Sequence, residues 1–256
     1  MLFKSSLILF SATLLIIQPA MAQPALRFQS APGRTALVEL YTSEGCSSCP
    51  PAEDWLNRLK DSPGLWKDFV PVAFHVDYWN SPGWKDRLSS PDFSERQRDY
   101  AQLWQAENIY TPCFVLNGAE WHGWLGRREP PAPDGEAGVL VVKSTATNRW
   151  NATFAPANPV PGNFQIHAAL LACDVDSQVT GGENRGRSLR HEFAALDLVS
   201  IGMTTSNGIA HGKFILDTSR YASEKALAIA AWITRPGELT PIQATGGWLV
   251  SPNAVR

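Results

Sequence analysis

The sequence predicts an α/β unit built round a dithiol, followed by an all-β unit that closes as an antiparallel β-sandwich. Three observations predict it. A strand-forming run at residues 36–41 empties into a polar turn that delivers Cys46 and Cys49 to residues 52–60, whose apolar spacing is helical. An apolar strand returns at residues 69–76, and strand, helix, strand with short connections is a parallel βαβ unit. Beyond position 138, apolar alternation recurs in short runs separated by turn residues.

Residues 1–22 read as a secretory signal. Lys4 supplies a positive start, residues 7–17 an apolar stretch too short to span a bilayer comfortably, and Ala20-Met21-Ala22 a small-residue cleavage site. Cleavage there begins the mature chain at Gln23 and places it in the periplasm or outside the cell, where a disulfide persists. No later run is apolar enough to span a membrane, so no integral membrane segment is expected after cleavage. Loss of Lys4 leaves 21 basic against 24 acidic residues, a net charge of −3. That is too small to argue for nucleic acid as a partner.

The dithiol stretch carries the chemistry. A thiolate at a helix N-terminus faces unpaired amide N–H groups and the positive end of the helix dipole, both of which lower its pKa. Cys46 is therefore the candidate nucleophile, and Cys49, one turn behind, the sulfur that resolves a mixed disulfide. Pro50 and Pro51 are tolerated in a first helical turn, where an N–H has no helical acceptor. Cys-x-x-Cys is also half of a structural zinc site, or a static disulfide. Zinc needs four ligands, and His75, His122, His167, His191 and His211 are scattered singly.

Past the break at residues 61–64 and the strand at 69–76, Pro82 and Gly83 make residues 78–84 a loop. Ser90-Pro91-Asp92 offers caps for a helix over residues 93–106, with Tyr100, Ala101, Leu103 and Trp104 as its inner face. A strand at 113–116, the turn Asn117-Gly118 and a partner strand at 119–124 form a hairpin. Six of the ten tryptophans fall from Trp55 to Trp121; they read as core and interface packing, or as an aromatic rim round the thiols. The Pro- and Gly-bearing residues 127–138 are a linker. Strands are then expected at 139–143, 149–154, 164–173, 190–201, 210–216, 226–234 and 242–249. Arg185, Arg187, Arg190 and His191 form a basic run, read as a solvated loop or as a receiver for a carboxylate or phosphate.

The runs Glu-Leu-Tyr-Thr-Ser-Glu-Gly-Cys-Ser-Ser-Cys-Pro-Pro-Ala-Glu (39–53), Phe-His-Val-Asp-Tyr-Trp-Asn (74–80), Gly-Trp-Lys-Asp (83–86), Tyr-Thr-Pro (110–112) and Gly-Glu-Asn-Arg-Gly-Arg-Ser-Leu-Arg-His (182–191), with Arg96, Gln97 and Tyr100, closely resemble the secreted thioredoxin-like family catalogued as domain of unknown function 1223. The resemblance implies a thioredoxin-like N-terminal domain at residues 23–126, which the linker joins to the β-sandwich domain that the strand pattern predicts at 139–256. It further implies that Thr111-Pro112 is a cis-proline loop opposite the dithiol, offering backbone groups to extended substrate. By the same resemblance Glu39 lies near the buried acid that assists proton transfer from the second thiol; a structural pairing or a solvent-facing carboxylate is the alternative.

The expected activity is thiol–disulfide exchange on protein or small-molecule thiols and disulfides, with no cofactor: Cys46 and Cys49 react, Thr111 and Pro112 position substrate, and Glu39 shuttles the proton. Two other readings stand beside it. Cys113, where the family pattern has glutamine, makes a copper(I) site with Cys46 and Cys49 conceivable, soft thiolates suiting that ion; as a core residue it is only a small hydrophobe. Alternatively the dithiol is a staple in a non-catalytic binding module.

Overall fold

The computed structural model describes residues 25–146, 148–158 and 162–251; the expected signal at 1–22 lies outside them. The strands are β1 (Arg27–Gln29), β2 (Ala36–Thr42), β3 (Phe69–Val76), β4 (Ser89–Ser90), β5 (Cys113–Leu116), β6 (Ala119–Glu120), β7 (Gly138–Ala146) and β8 (Arg149–Pro156) in the first part of the chain. They continue with β9 (Gln165–Cys173), β10 (Val175–Gln178), β11 (Ser188–His191), β12 (Ala194–Gly202), β13 (Thr204–Ser206), β14 (Ile209–Ile215), β15 (Ala226–Thr234) and β16 (Gln243–Val250). The α-helices are α1 (Pro50–Arg58) and α2 (Pro91–Leu103).

The parallel β2–α1–β3 unit forms as its apolar pattern requires, with Ala36 opposite Phe69 and Thr42 opposite His75. The thioredoxin-like N-terminal α/β domain does not. Strands make up 45% of the described structure and helices 15%, and no thioredoxin-like arrangement is present. The physical reason lies in β3, whose eight residues are all buried, so that both its edges and both its faces need cover. Its far edge takes β12 in parallel through Ala73 and Ala194, and the sheet continues antiparallel. The result is one mixed nine-stranded sheet whose path runs β16-β15-β9-β12-β3-β2-β5-β6, with β4 on β3.

Alternation along β9 and β15 then divides the interior. Ala169, Leu171 and Cys173 of β9 join the core under the helices with Phe74, Phe193 and Trp232. Ile166, Ala168 and Leu170 face the other way, onto Leu140, Val142, Trp150 and Phe154. These last belong to a five-stranded antiparallel sheet, β1-β7-β8-β14-β13. The second core thus lies between this antiparallel sheet and the far half of the long mixed sheet, not within a separate antiparallel domain.

The strand expected over residues 190–201 is broken at Phe193, which adopts φ +58. The break separates β12, which joins β3, from β11, which pairs with β10 in a detached hairpin. That hairpin covers the dithiol. α2 ends at Leu103, three residues short of the expected end, and its buried face is Phe93, Ser94, Arg96, Gln97 and Tyr100; Leu103 is exposed.

Candidate functional site

β2 ends at Thr42, and the turn through Glu44 and Gly45 brings Cys46 into a disulfide with Cys49, their Cα atoms 5.5 Å apart. Cys49 is the N-cap of α1. Both cysteines are fully buried, while Ser47 and Ser48 between them are exposed. The expected array of free amides is missing. Pro50 and Pro51 carry no N–H, the amides of Ala52 and Glu53 donate to the Cys49 carbonyl, that of Cys49 to the Cys46 carbonyl and that of Cys46 to the Ser43 carbonyl. A sulfur anion at Cys46 would have the helix dipole and the Ser48 hydroxyl, 3.3 Å from Cys46 Sγ, beside it.

Ser48 Oγ also reaches the Thr111 carbonyl at 3.5 Å. The Thr111–Pro112 bond is cis, and Trp79 Nε1 donates to Thr111 Oγ1 at 2.8 Å. Cys46, Cys49, Thr111 and Pro112 are therefore brought together. Of the tryptophans, Trp79 and Trp84 pack against Gly45, where an added Cβ would come within about 3.2 Å of either ring system's side chain, while Trp55 lies in the core.

The loop joining β10 to β11 closes over this turn. Asn184, fully buried, donates to the carbonyls of Glu44 at 2.9 Å and Cys46 at 2.8 Å. The Glu183 amide donates to the Gly45 carbonyl, and Glu183 Oε2 accepts from both the amide and the hydroxyl of Ser47, at 3.0 and 2.6 Å. Those two bonds hold the Glu183 carboxyl below its ordinary pKa.

At the other end of β11, His191 enters a buried cluster. Its Nδ1 bonds Glu53 Oε2 at 2.6 Å. Its Nε2 stands 3.2 Å from Glu44 Oε1, close enough for an ion pair but without the alignment of a hydrogen bond. Burial alone would lower the His191 pKa, but the two carboxylates carry it up to about 10. Burial opposes ionisation of Glu53, yet His191 and the 2.5 Å hydrogen bond from Thr42 leave its pKa lowered. Beside this pair, His75 Nδ1 meets Asp86 Oδ2 at 2.8 Å. Asp86 resists burial through His75 and the amides of Glu44 and Leu88, which bring its pKa down to about 2. The rings of His75 and His191 stand edge to face, 4.9 Å apart.

Glu39 is not in this cluster. Thr42 of β2 meets Glu53 of α1, so alternation turns Glu39 and Tyr41 to the opposite face of the sheet. There Glu39 accepts from Arg96 Nε at 2.7 Å, the Tyr100 hydroxyl at 2.6 Å and the Tyr41 hydroxyl at 3.1 Å. Cys113 opposes Tyr41 and lines a cavity of about 340 Å³ with Gln97, Trp104 and Tyr110. Burial pushes its thiol pKa up to about 12. Cys46 and Cys49 are bonded to each other in this structure, and Cys113, the third thiol of the alternative copper(I) set, is free. Cys173 is buried and accepts the Phe193 amide.

The residues that sequence reasoning missed are Glu44, Glu53, Asp86, Asn184 and the pairing of His75 with His191. Local signals existed: an imidazole in the otherwise apolar β3, and a carboxylate beside Ala52 and Leu56 on the buried face of α1. The basic run does receive carboxylates, but through buried His191 and through Arg190, which pairs with Asp174 at 2.7 Å.

Residues 37–234 match the family described as "Protein of unknown function (DUF1223)". No curated protein matches the chain. Among solved structures the chain is similar to protein AGR_C_4864 from Agrobacterium tumefaciens, at 21% identity and TM-score 0.61, over 88% of this chain and 97% of that one. It is also similar to HBP35 of Porphyromonas gingivalis, at 12% identity and TM-score 0.56, over 89% of this chain and 79% of the other. At such identities the likeness is one of fold alone.

Proposed function

The chain belongs to the DUF1223 family, and we propose that it acts as an exported thiol–disulfide oxidoreductase whose Cys46–Cys49 pair cycles between disulfide and dithiol. The observation that carries this reading is the disulfide's position: at the start of α1, with exposed Ser47 and Ser48 between its cysteines and the Thr111 carbonyl within reach of Ser48. Among the described residues no helix is long and apolar enough to cross a membrane.

In the oxidised protein a substrate thiolate attacks Cys46 Sγ, the Cys46–Cys49 bond breaks, and Cys49 leaves as a thiolate at the helix N-terminus. A second substrate thiolate attacks the substrate sulfur of that mixed disulfide, releasing Cys46 as a thiolate. One protein disulfide and two substrate thiols become one protein dithiol and one substrate disulfide, and the reverse sequence reduces a substrate. Thr111 and Pro112 position the substrate chain beside Cys46. Glu39, held by Arg96 and Tyr100, supports α2 in this scheme.

A second reading, a static staple in a binding module, is favoured by the complete burial of both cysteines. Turnover of a model disulfide by the purified protein and by Cys46→Ser separates the two. Exchange activity lost in the variant supports catalysis; equal rates leave the staple.

A further inference from the structure

Beneath the disulfide, three carboxylates and two imidazoles share one buried site. Glu53, His75 and His191 each present a ligand atom, and these lie within 4.8 Å of one another. Glu44 Oε1 is 3.2 Å from His191 Nε2. We propose that Glu53, His75 and His191 form a binding site for a single divalent transition-metal ion of the zinc class, independent of the cysteines.

The first support is unmet polar capacity. His75 Nε2 is buried and has no hydrogen-bond partner among the described residues, although such groups are ordinarily satisfied because leaving them bare is costly; His191 Nε2 and Glu44 Oε1 face each other at 3.2 Å without the alignment of a hydrogen bond. An unpartnered imidazole nitrogen beside Glu53 and His191 is placed to give its lone pair to a Lewis acid held by the same three side chains.

The second support is charge. Among the described residues Glu44, Glu53 and Asp86 form their ion pairs with histidine alone. With both imidazoles protonated the five groups still carry a negative charge, and with His75 neutral a larger one. A buried anionic cluster is unfavourable unless paired or bound to a cation. A divalent ion supplies what no lysine or arginine does here.

The third is the arrangement behind His75. Asp86 accepts at Nδ1 and is itself fixed by the amides of Glu44 and Leu88. A carboxylate on one ring nitrogen holds the proton there and leaves Nε2 as a lone pair, the support that metal-binding histidines ordinarily receive. Two imidazoles with carboxylate oxygens suit zinc or its neighbours better than magnesium or calcium, which prefer oxygen alone, or copper(I), which prefers sulfur.

The site is closed, so the test loads it during folding. The full chain is unfolded, stripped with a chelator, refolded with zinc or cobalt(II), and freed of loose ion by gel filtration. One zinc per chain is expected, with cobalt(II) visible absorption of a nitrogen and oxygen environment and no thiolate-to-metal charge-transfer band. Cys46→Ser with Cys49→Ser should retain the ion in full, so this outcome stands whether or not the disulfide is catalytic. His75→Gln and Glu53→Gln should each lower affinity at least a hundredfold, and Asp86→Asn about ten- to a hundredfold. A refolded wild-type chain with no zinc above a metal-free blank overturns the proposal, as does zinc that disappears with the cysteines. Should a ligand variant fail to fold, the wild-type stoichiometry and cobalt spectrum decide alone.

Discussion

Asn184 spends its side-chain amide on the carbonyls of Cys46 and Glu44, at 2.8 and 2.9 Å, and so ties the β10–β11 loop to the turn that carries the disulfide. The disulfide turn is covered by hydrogen bonds from a distant part of the chain, and the expected outcome is that its reduction depends on how readily that loop lifts. Asn184→Ala removes both bonds and leaves two carbonyls under-satisfied. The expected cost is about 1–3 kcal/mol of stability. The rate of disulfide reduction by a small dithiol should rise severalfold under native conditions, followed by thiol release. An unchanged rate would show that the loop does not gate access.

Glu39 supports a second prediction because the sheet separates it from α1. Arg96 lies over the rings of Phe74, Tyr100 and Trp232 at 5.7, 5.3 and 5.2 Å, and Glu39 is its ion-pair partner. Glu39→Gln leaves a guanidinium buried without its counter-charge and should cost about 3–5 kcal/mol in urea unfolding. The pH profile of Cys46 alkylation in the reduced variant should match that of wild type. A displaced profile would support Glu39 as a proton carrier for the thiols.

His167 gives the fold a pH dependence separate from the site. It bonds Ser200 Oγ and Thr234 Oγ1 at 2.7 and 2.9 Å and stacks on Trp232. Burial, with Arg96 adding to it, pushes its pKa down to about 3. In the unfolded chain it returns to roughly 6.5. Between those values the unfolded state binds a proton that the native state refuses, so stability falls as pH drops through that window. Each unit is worth about 1.4 kcal/mol at most. His167→Gln should flatten the urea midpoint between pH 7 and pH 4 relative to wild type.

The strands that could be read to the residue are those whose environment is local in origin. β3, β5 and β15 coincide with the apolar runs at 69–76, 113–116 and 226–234. The pairing of β3 with β12 left no trace, because a strand buried on both faces has the same composition whichever neighbour it takes. Cys46, Cys49 and Thr111 were legible because one motif and one resemblance hold them. The histidine–carboxylate cluster was not: Glu53 and His75 lie within one βαβ unit, but His191 arrives on a hairpin whose course depends on the break at Phe193. The burial of both thiols was not legible for the same reason, since the covering loop lies far along the chain.

That cover can be tested sterically, without deleting a polar group. Gly182 adopts φ +69, and a Cβ placed there would stand 2.9 Å from Gly45 Cα. Gly237 adopts φ +78 with nothing within 4 Å. Both alanine variants incur the left-handed penalty of roughly 1 kcal/mol, so comparing them cancels backbone strain and isolates the contact. Gly182→Ala must push the β10–β11 loop off the Cys46 turn, weakening the Asn184 and Glu183 bonds together, whereas Gly237→Ala leaves the loop seated. Reduction by a small dithiol, measured well below either unfolding midpoint, should be several times faster in Gly182→Ala than in Gly237→Ala. Equal rates would mean that the disulfide opens by global unfolding, and that the loop over it is architecture rather than a gate.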